Sequence, residues 1–142
     1  NIDGPLVKPG KYKVQISVDN KYKIEDEILI LKDPNTVITE SDFEKAEELQ
    51  LKIINKIREA KSIADEIQTS ISNKKFRKSK YAPLKQKLDM LVTKEGAYMQ
   101  PMLIDQMKYL YGMISKADQI LGNDAYKRFN DLSLELEKIK KL

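Results

Sequence analysis

Residues 9–34 read PGKYKVQISVDNKYKIEDEILILKDP. Tyr12, Val14, Ile16 and Val18 alternate with Lys11, Lys13, Gln15 and Ser17, the period of two that gives a strand one apolar face. Asp19 and Asn20 supply a turn. Tyr22, Ile24, Ile28 and Ile30 then carry a returning strand that Lys32, Asp33 and Pro34 stop. The stretch predicts a β-hairpin, and the triplet Glu25, Asp26 and Glu27 inside its second strand implies a bulge or an exposed edge. A hairpin is marginal by itself in water. Its apolar face needs a partner, yet no other segment of the chain has a strand's period.

From Ser41 onward the period becomes helical. Ser41 and Glu44 stand at the spacing of a capping box, and Asp42, Glu44, Glu47 and Glu48 place negative charge where a helix N-terminus favours it. Phe43, Ala46, Gln50, Ile53, Ile57, Ala60, Ala64, Ile67 and Ile71 step by three and four residues, a heptad seam broken only by Gln50. A helix over about 42–73 is roughly 48 Å long at 1.5 Å per residue. A second helix is predicted over about 81–93, with Tyr81, Leu84, Leu88 and Leu91 on one face and Pro83 in its first turn. A third is predicted over about 101–121, starting at Pro101 and aligning Leu103, Met107, Leu110, Ile114, Ala117 and Leu121 before Gly122. The fourth, over about 124–141, has Asn123 or Asp124 as cap and Ala125, Phe129, Leu132, Leu136 and Ile139 as its stripe. Lys138, Lys140 and Lys141 stand at its C-terminal end. Four amphipathic helices with short connections read as an up-down four-helix bundle.

Composition narrows the chemistry. The chain has 142 residues, 41% of them hydrophobic and 34% charged, with a net charge of +4. No apolar run exceeds the four residues of Ile28–Leu31, so no segment is suited to span a bilayer. Cys and His are both absent, which removes thiolate nucleophiles, imidazole bases, disulfides and the usual zinc ligands. An enzyme built from this chain would need a carboxylate pair, Lys or Tyr, and each helical stripe is apolar. No motif calls for a cofactor or a metal, and no catalytic residue is assigned. The first residues show neither an initiator Met nor a signal segment, and they read as cut from something longer.

Three motifs from Pro9 onward carry a resemblance to a known family. Pro9, Gly10, Tyr12 and Val14 followed by Asp33 and Pro34 are the first; YMQPMLIDQMKYLYGMISKADQ, Tyr98 to Gln119, is the second; DAYKRFNDL, Asp124 to Leu132, is the third. In that order they resemble the C-terminal region of secreted bacterial glycosyl hydrolases with a sortilin-like β-propeller, where an immunoglobulin-like segment ends in P-G-x-Y-x-V, a turn and a second strand before a helical tail. This chain departs from the pattern in having Asp19-Asn20 where Asp-Gly is usual. The resemblance implies that residues 1–38 are the last strands of a truncated immunoglobulin-like sandwich and that residues 39–142 are the helical tail. The expected fold is therefore mainly α with a small β part. The implied partners are upstream domains of the same polypeptide, and the implied location is secreted, periplasmic or at the cell surface. No catalytic position of the family falls on a numbered residue here.

Other features have weaker readings. Glu25 and Glu27 share one side of their strand and could offer paired carboxylates, but charges on a strand edge serve first to keep it soluble. Met99, Met102, Met107 and Met113 with Tyr98, Tyr109 and Tyr111 could line an adaptable groove, although helical spacing assigns them to the core and its margin. Lys74, Lys75, Arg77, Lys78 and Lys80 form a basic loop with no acid in it, with Phe76 inside the run and Tyr81 at its end available for stacking. They are a candidate polyanion contact, set against a simple solubilising role at a helix end, and nucleic acid is disfavoured for want of a recognised motif.

The favoured expectation is a non-catalytic accessory module of a larger protein. The alternative is an interaction module that binds a protein or an acidic polymer through the bundle or the basic loop. The fragment alone could also hide its open strand edge in a strand-mediated dimer.

Overall fold

A computed structural model describes residues 4–19, 21–73 and 78–142, the side chains of 78–80 excepted. A two-stranded antiparallel hairpin, β1 (Gly10–Val18) and β2 (Tyr22–Ile30), precedes four helices: α1 (Glu40–Ser72), α2 (Lys78–Leu91), α3 (Leu103–Ile114) and α4 (Asn123–Lys141).

The hairpin register runs unbroken from Gly10 opposite Ile30 to Val18 opposite Tyr22, so the acidic triplet produces no bulge. The triplet is exposed throughout, and Glu25 is met across the ribbon by the Gln15 amide at 2.7 Å and by Lys13 at 3.4 Å. Where both faces are wet, a charge can occupy any position without displacing the pairing. At the turn Asp19 takes φ 50°, a left-handed conformation that Asp tolerates better than most residues, and the Lys21 N–H donates to the Val18 carbonyl at 3.0 Å. Asn20, the other expected turn residue, lies outside the described residues. After β2, the Asp33-Pro34 pair makes a tight turn in which the Thr36 N–H donates to the Asp33 carbonyl at 3.1 Å.

Helix α1 starts two residues before the expected position, and its cap is Thr39 rather than Ser41. The Thr39 hydroxyl accepts from the Asp42 N–H at 3.2 Å, and the Asp42 carboxylate accepts from the Thr39 N–H at 3.0 Å. Thr39 and Asp42 thus form the capping box, which leaves Glu44 free for another partner. Buried Ile38 and half-buried Phe43 occupy the two positions of a hydrophobic staple around this cap, and that favours Thr39 over Ser41. The hydrogen bonds to Thr39 hold the Asp42 carboxyl below the ordinary carboxylate range.

The remaining helices depart from their expected limits for local reasons. Helix α2 begins at Lys78, which puts Pro83 one turn inside it rather than in its first turn. Helix α3 begins at Leu103, not Pro101; the Met102 N–H just before it is held by the Thr93 hydroxyl at 2.9 Å. It ends at Ile114, seven residues before Leu121, because the Gln119 amide folds back and donates to the Met113 carbonyl at 2.8 Å. Ala117 and Leu121 are therefore off the helix. Helix α4 is capped by Gly122, with no side-chain hydrogen bond from Asn123 or Asp124.

Every pair of helices is in contact, and they share one core. Leu49, Ile53 and Ile57 from α1 meet Leu91, Leu103 and Met107, with Leu132, Leu136 and Ile139 from α4; all are fully buried. Each such side chain contributes roughly 1.5–3 kcal/mol on leaving water. The heptad seam of α1 faces this core, widened by Leu49 and Ile54. At the wet margin Lys56 and Glu59 of α1 meet Glu137 and Lys140 of α4 in a four-membered ion network, with separations of 2.7–3.3 Å. No helix among the described residues is long and apolar enough to cross a membrane.

Candidate functional site

The hairpin stands apart from the helices: among the described residues neither strand comes within 8 Å, Cα to Cα, of any helix. Its register gathers Tyr12, Val14, Ile16 and Val18 with Tyr22, Ile24, Ile28 and Ile30 on one side, with Asp26 opposite Val14. This is the apolar face read from the sequence, and it is open to solvent. Ile16 is 60% exposed, Ile24 68% and Tyr22 72%. The opposite side carries Lys11, Lys13, Gln15, Glu25 and Glu27. Phe43 and Leu49, on the first turns of α1, do not meet this face: Leu49 is in the helical core, and Phe43 lines a crevice with the N-terminal segment.

That segment, residues 4–9, forms a strap that no period in its residues reveals. Leu6, Val7 and Lys8 share the crevice with Phe43, Ala46 and Gln50 of α1 and with Ala117–Gln119. The Tyr111 hydroxyl donates to the Gly4 carbonyl at 2.8 Å, the Leu6 N–H donates to the Gln50 side-chain oxygen at 3.0 Å, and Lys8 pairs with Glu44 at 2.7 Å. The hydrogen bond between Lys8 and Glu44 raises the ammonium pKa and lowers that of the carboxyl. At the strap's end the Tyr12 hydroxyl donates to the Lys8 carbonyl at 2.6 Å. Both ends of the hairpin are consequently rooted at the first turns of α1, one through the strap and the other through Thr39. The one sequence clue to this arrangement was Gln50, the polar residue in an apolar seam.

The other candidate residues divide. Met107 and Tyr111 are buried, whereas Met99, Tyr109 and Met113 are exposed and Tyr98 stands clear of the protein surface. The methionines and tyrosines thus serve the core on one side of α3 and line an open surface on the other. Lys74, Lys75 and Arg77 lie outside the described residues; Lys78 and Lys80 belong to the backbone of the first turn of α2, with side chains outside them too. Among the described residues no three acidic side chains converge as a metal site requires.

A carboxylate pair across helices does exist, Glu59 with Glu137, and sequence reading missed it although Lys56-Glu59 and Glu137-Lys140 have helical spacing. Hydrogen bonds from Lys140, then Lys56, hold both carboxyls below their ordinary range. Both stay ionised near neutrality, which suits an ion network and not a proton donor. Compared with family models, with curated proteins and with solved structures, the chain matches none.

Proposed function

We propose that this chain is a non-catalytic C-terminal accessory module of a larger secreted β-propeller protein of the glycosyl hydrolase type. Its hairpin supplies the last two strands of an immunoglobulin-like sandwich. Its helices, in up-down-up-down order, brace the end of that sandwich. The observation that carries the reading is a formed two-stranded ribbon whose apolar face has no partner among the helices. Two strands are too few for independent stability in water, so a ribbon of this kind is suited to complete a larger sheet structure. The strap and the Thr39 cap support the bracing role, since they fasten the root of the ribbon to α1 at both ends.

The coding sequence immediately upstream of Asn1 tests the proposal. Strands of alternating period preceded by propeller repeats support it; an initiator Met there with a stop codon ahead of it overturns it. In the supporting case those upstream strands, supplied as a separate polypeptide, should form a one-to-one complex with this chain.

A further inference from the structure

A second open surface lies away from the hairpin, between α3 and the start of α4. It is a groove of about 590 Å³, within the span of roughly 300–1,000 Å³ typical of small-ligand sites. Leu110, Ile114 and Ala125 lie at its apolar side, and exposed Tyr109 and Met113 rise beside them. On the α4 side the lining is Gly122, Asp124, Ala125 and Arg128, and Ala125 presents only a methyl group. An unbranched Met wall can adjust to ligands of different outline.

The charges at the rim decide what such a ligand would carry. Asp105 is already engaged by Lys108 at 2.7 Å, and the hydrogen bonds from Lys108 and Thr93 hold its carboxyl below the ordinary range. Asp124 is folded back over Gly122, so closely that a Cβ there would collide with it; its charge sits at the positive end of α4. Arg128 is different. Its guanidinium donates to the neutral Gln106 side-chain oxygen, and among the described residues no carboxylate lies within ion-pair distance of it. An exposed guanidinium with most of its donors available, beside an apolar groove, is matched by a carboxylate on an apolar body.

We propose that the α3–α4 groove binds a small acidic amphiphile, an aliphatic or aromatic carboxylate. Its apolar part lies along Leu110, Met113 and Ala125, and its carboxylate meets Arg128. The segment carrying Gln119, Leu121 and Gly122 lines the same groove and bounds it on the side of the connection.

Titration of the isotope-labelled 142-residue chain with octanoate, 1-octanol and octylamine, followed by amide chemical shifts, tests this. Octanoate should shift the amides of Tyr109, Met113, Gly122 and Ala125 along one saturable curve. Octanol should bind more weakly, and octylamine more weakly still. Arg128→Gln, an exposed change that leaves the core intact, should weaken octanoate about tenfold or more and leave octanol unaltered, as loss of one charge-assisted contact requires. Asp124→Asn removes a repelling charge and should tighten octanoate. Equal affinity for octanoate and octylamine, an Arg128→Gln affinity within about twofold of wild type, or shifts confined to residues 10–30 of the hairpin would each overturn the assignment.

Discussion

The backbone N–H of Leu6 donates to the side-chain oxygen of Gln50 at 3.0 Å, joining residues 44 apart in sequence. Gln50 is 2% exposed and sits on the seam of α1 that otherwise carries apolar groups. A buried amide is costly unless it is bonded, and no side-chain nitrogen or oxygen buried among the described residues lacks a partner. The glutamine is therefore the receptor for the strap, and through it for the start of β1. Leucine at this position would complete the seam but strand the Leu6 N–H.

Gln50→Ala should destabilise the protein by about 1–3 kcal/mol, the cost of leaving a part-buried donor without its acceptor. The effect should be local in character: the Leu6 amide should lose its hydrogen-exchange protection, while amides of α3 and α4 keep theirs. Denaturant melting with exchange measured residue by residue checks it. Undiminished protection at Leu6 would show that the strap is held by Tyr111 and Glu44 without help from Gln50.

The parts of the fold legible in the sequence are those set by period. The alternation of residues 12–18 fixes which side chains share a face of the ribbon, and the heptad steps of α1 fix Ile53, Ile57, Ala60 and Ala64 in the core. Helix limits were less legible, because they depend on single hydrogen bonds between groups that periodicity does not see. Thr39 outcompetes Ser41 through its bonds with Asp42, and Gln119 folds back on Met113 to end α3. The strap is illegible for the same reason. Leu6, Val7 and Lys8 have no regular period, and their places are set by contacts with residues far along the chain.

Ile57 is wholly buried at the centre of α1. Ile57→Val should cost about 0.5–1.5 kcal/mol, because one methylene leaves a small cavity. Ile57→Asp places an uncompensated charge in the same space and should cost more than about 4 kcal/mol or prevent folding. Thermal melting by circular dichroism separates the two outcomes. An unchanged Tm for Ile57→Asp would show that the seam faces solvent.

The acid limb of stability should come from carboxylates on the helices. Hydrogen bonds hold Asp42, Glu44, Glu59, Asp105 and Glu137 below their ordinary values. An unfolded chain protonates such groups first, near pH 4, so their contribution is complete at neutrality and is lost as pH falls through the folded values. Lys8, Lys56 and Lys140 are raised, so their contribution fades only as pH climbs above about 10. Tm should therefore be flat between about pH 5 and pH 10 and fall outside that window. Glu59→Gln combined with Glu137→Gln should lower the plateau and flatten its acid edge, and added salt should narrow the difference from wild type. A double variant with the wild-type acid limb would place the linkage elsewhere.

The exposed face of the hairpin makes the sharpest demand. Ile16 and Ile24 stand opposite each other in the register and are 60% and 68% exposed, so replacing both with Lys removes only contacts within the ribbon and none with the helices. Each change should alter its stability by less than about 0.5 kcal/mol. If the face instead completes an upstream sandwich, the same changes bury two ammonium groups in a longer polypeptide, where they should cost several kcal/mol. Amide exchange should follow suit. Residues 10–31 should exchange rapidly in the present chain and gain strong protection only when the upstream strands are attached, while the helices are protected in both. A strand-mediated dimer would give itself away by protection that rises with protein concentration, which sedimentation equilibrium would confirm. Full protection of residues 10–31 in a monomer of this chain would mean that the ribbon needs no partner, and the sandwich reading would have to be given up.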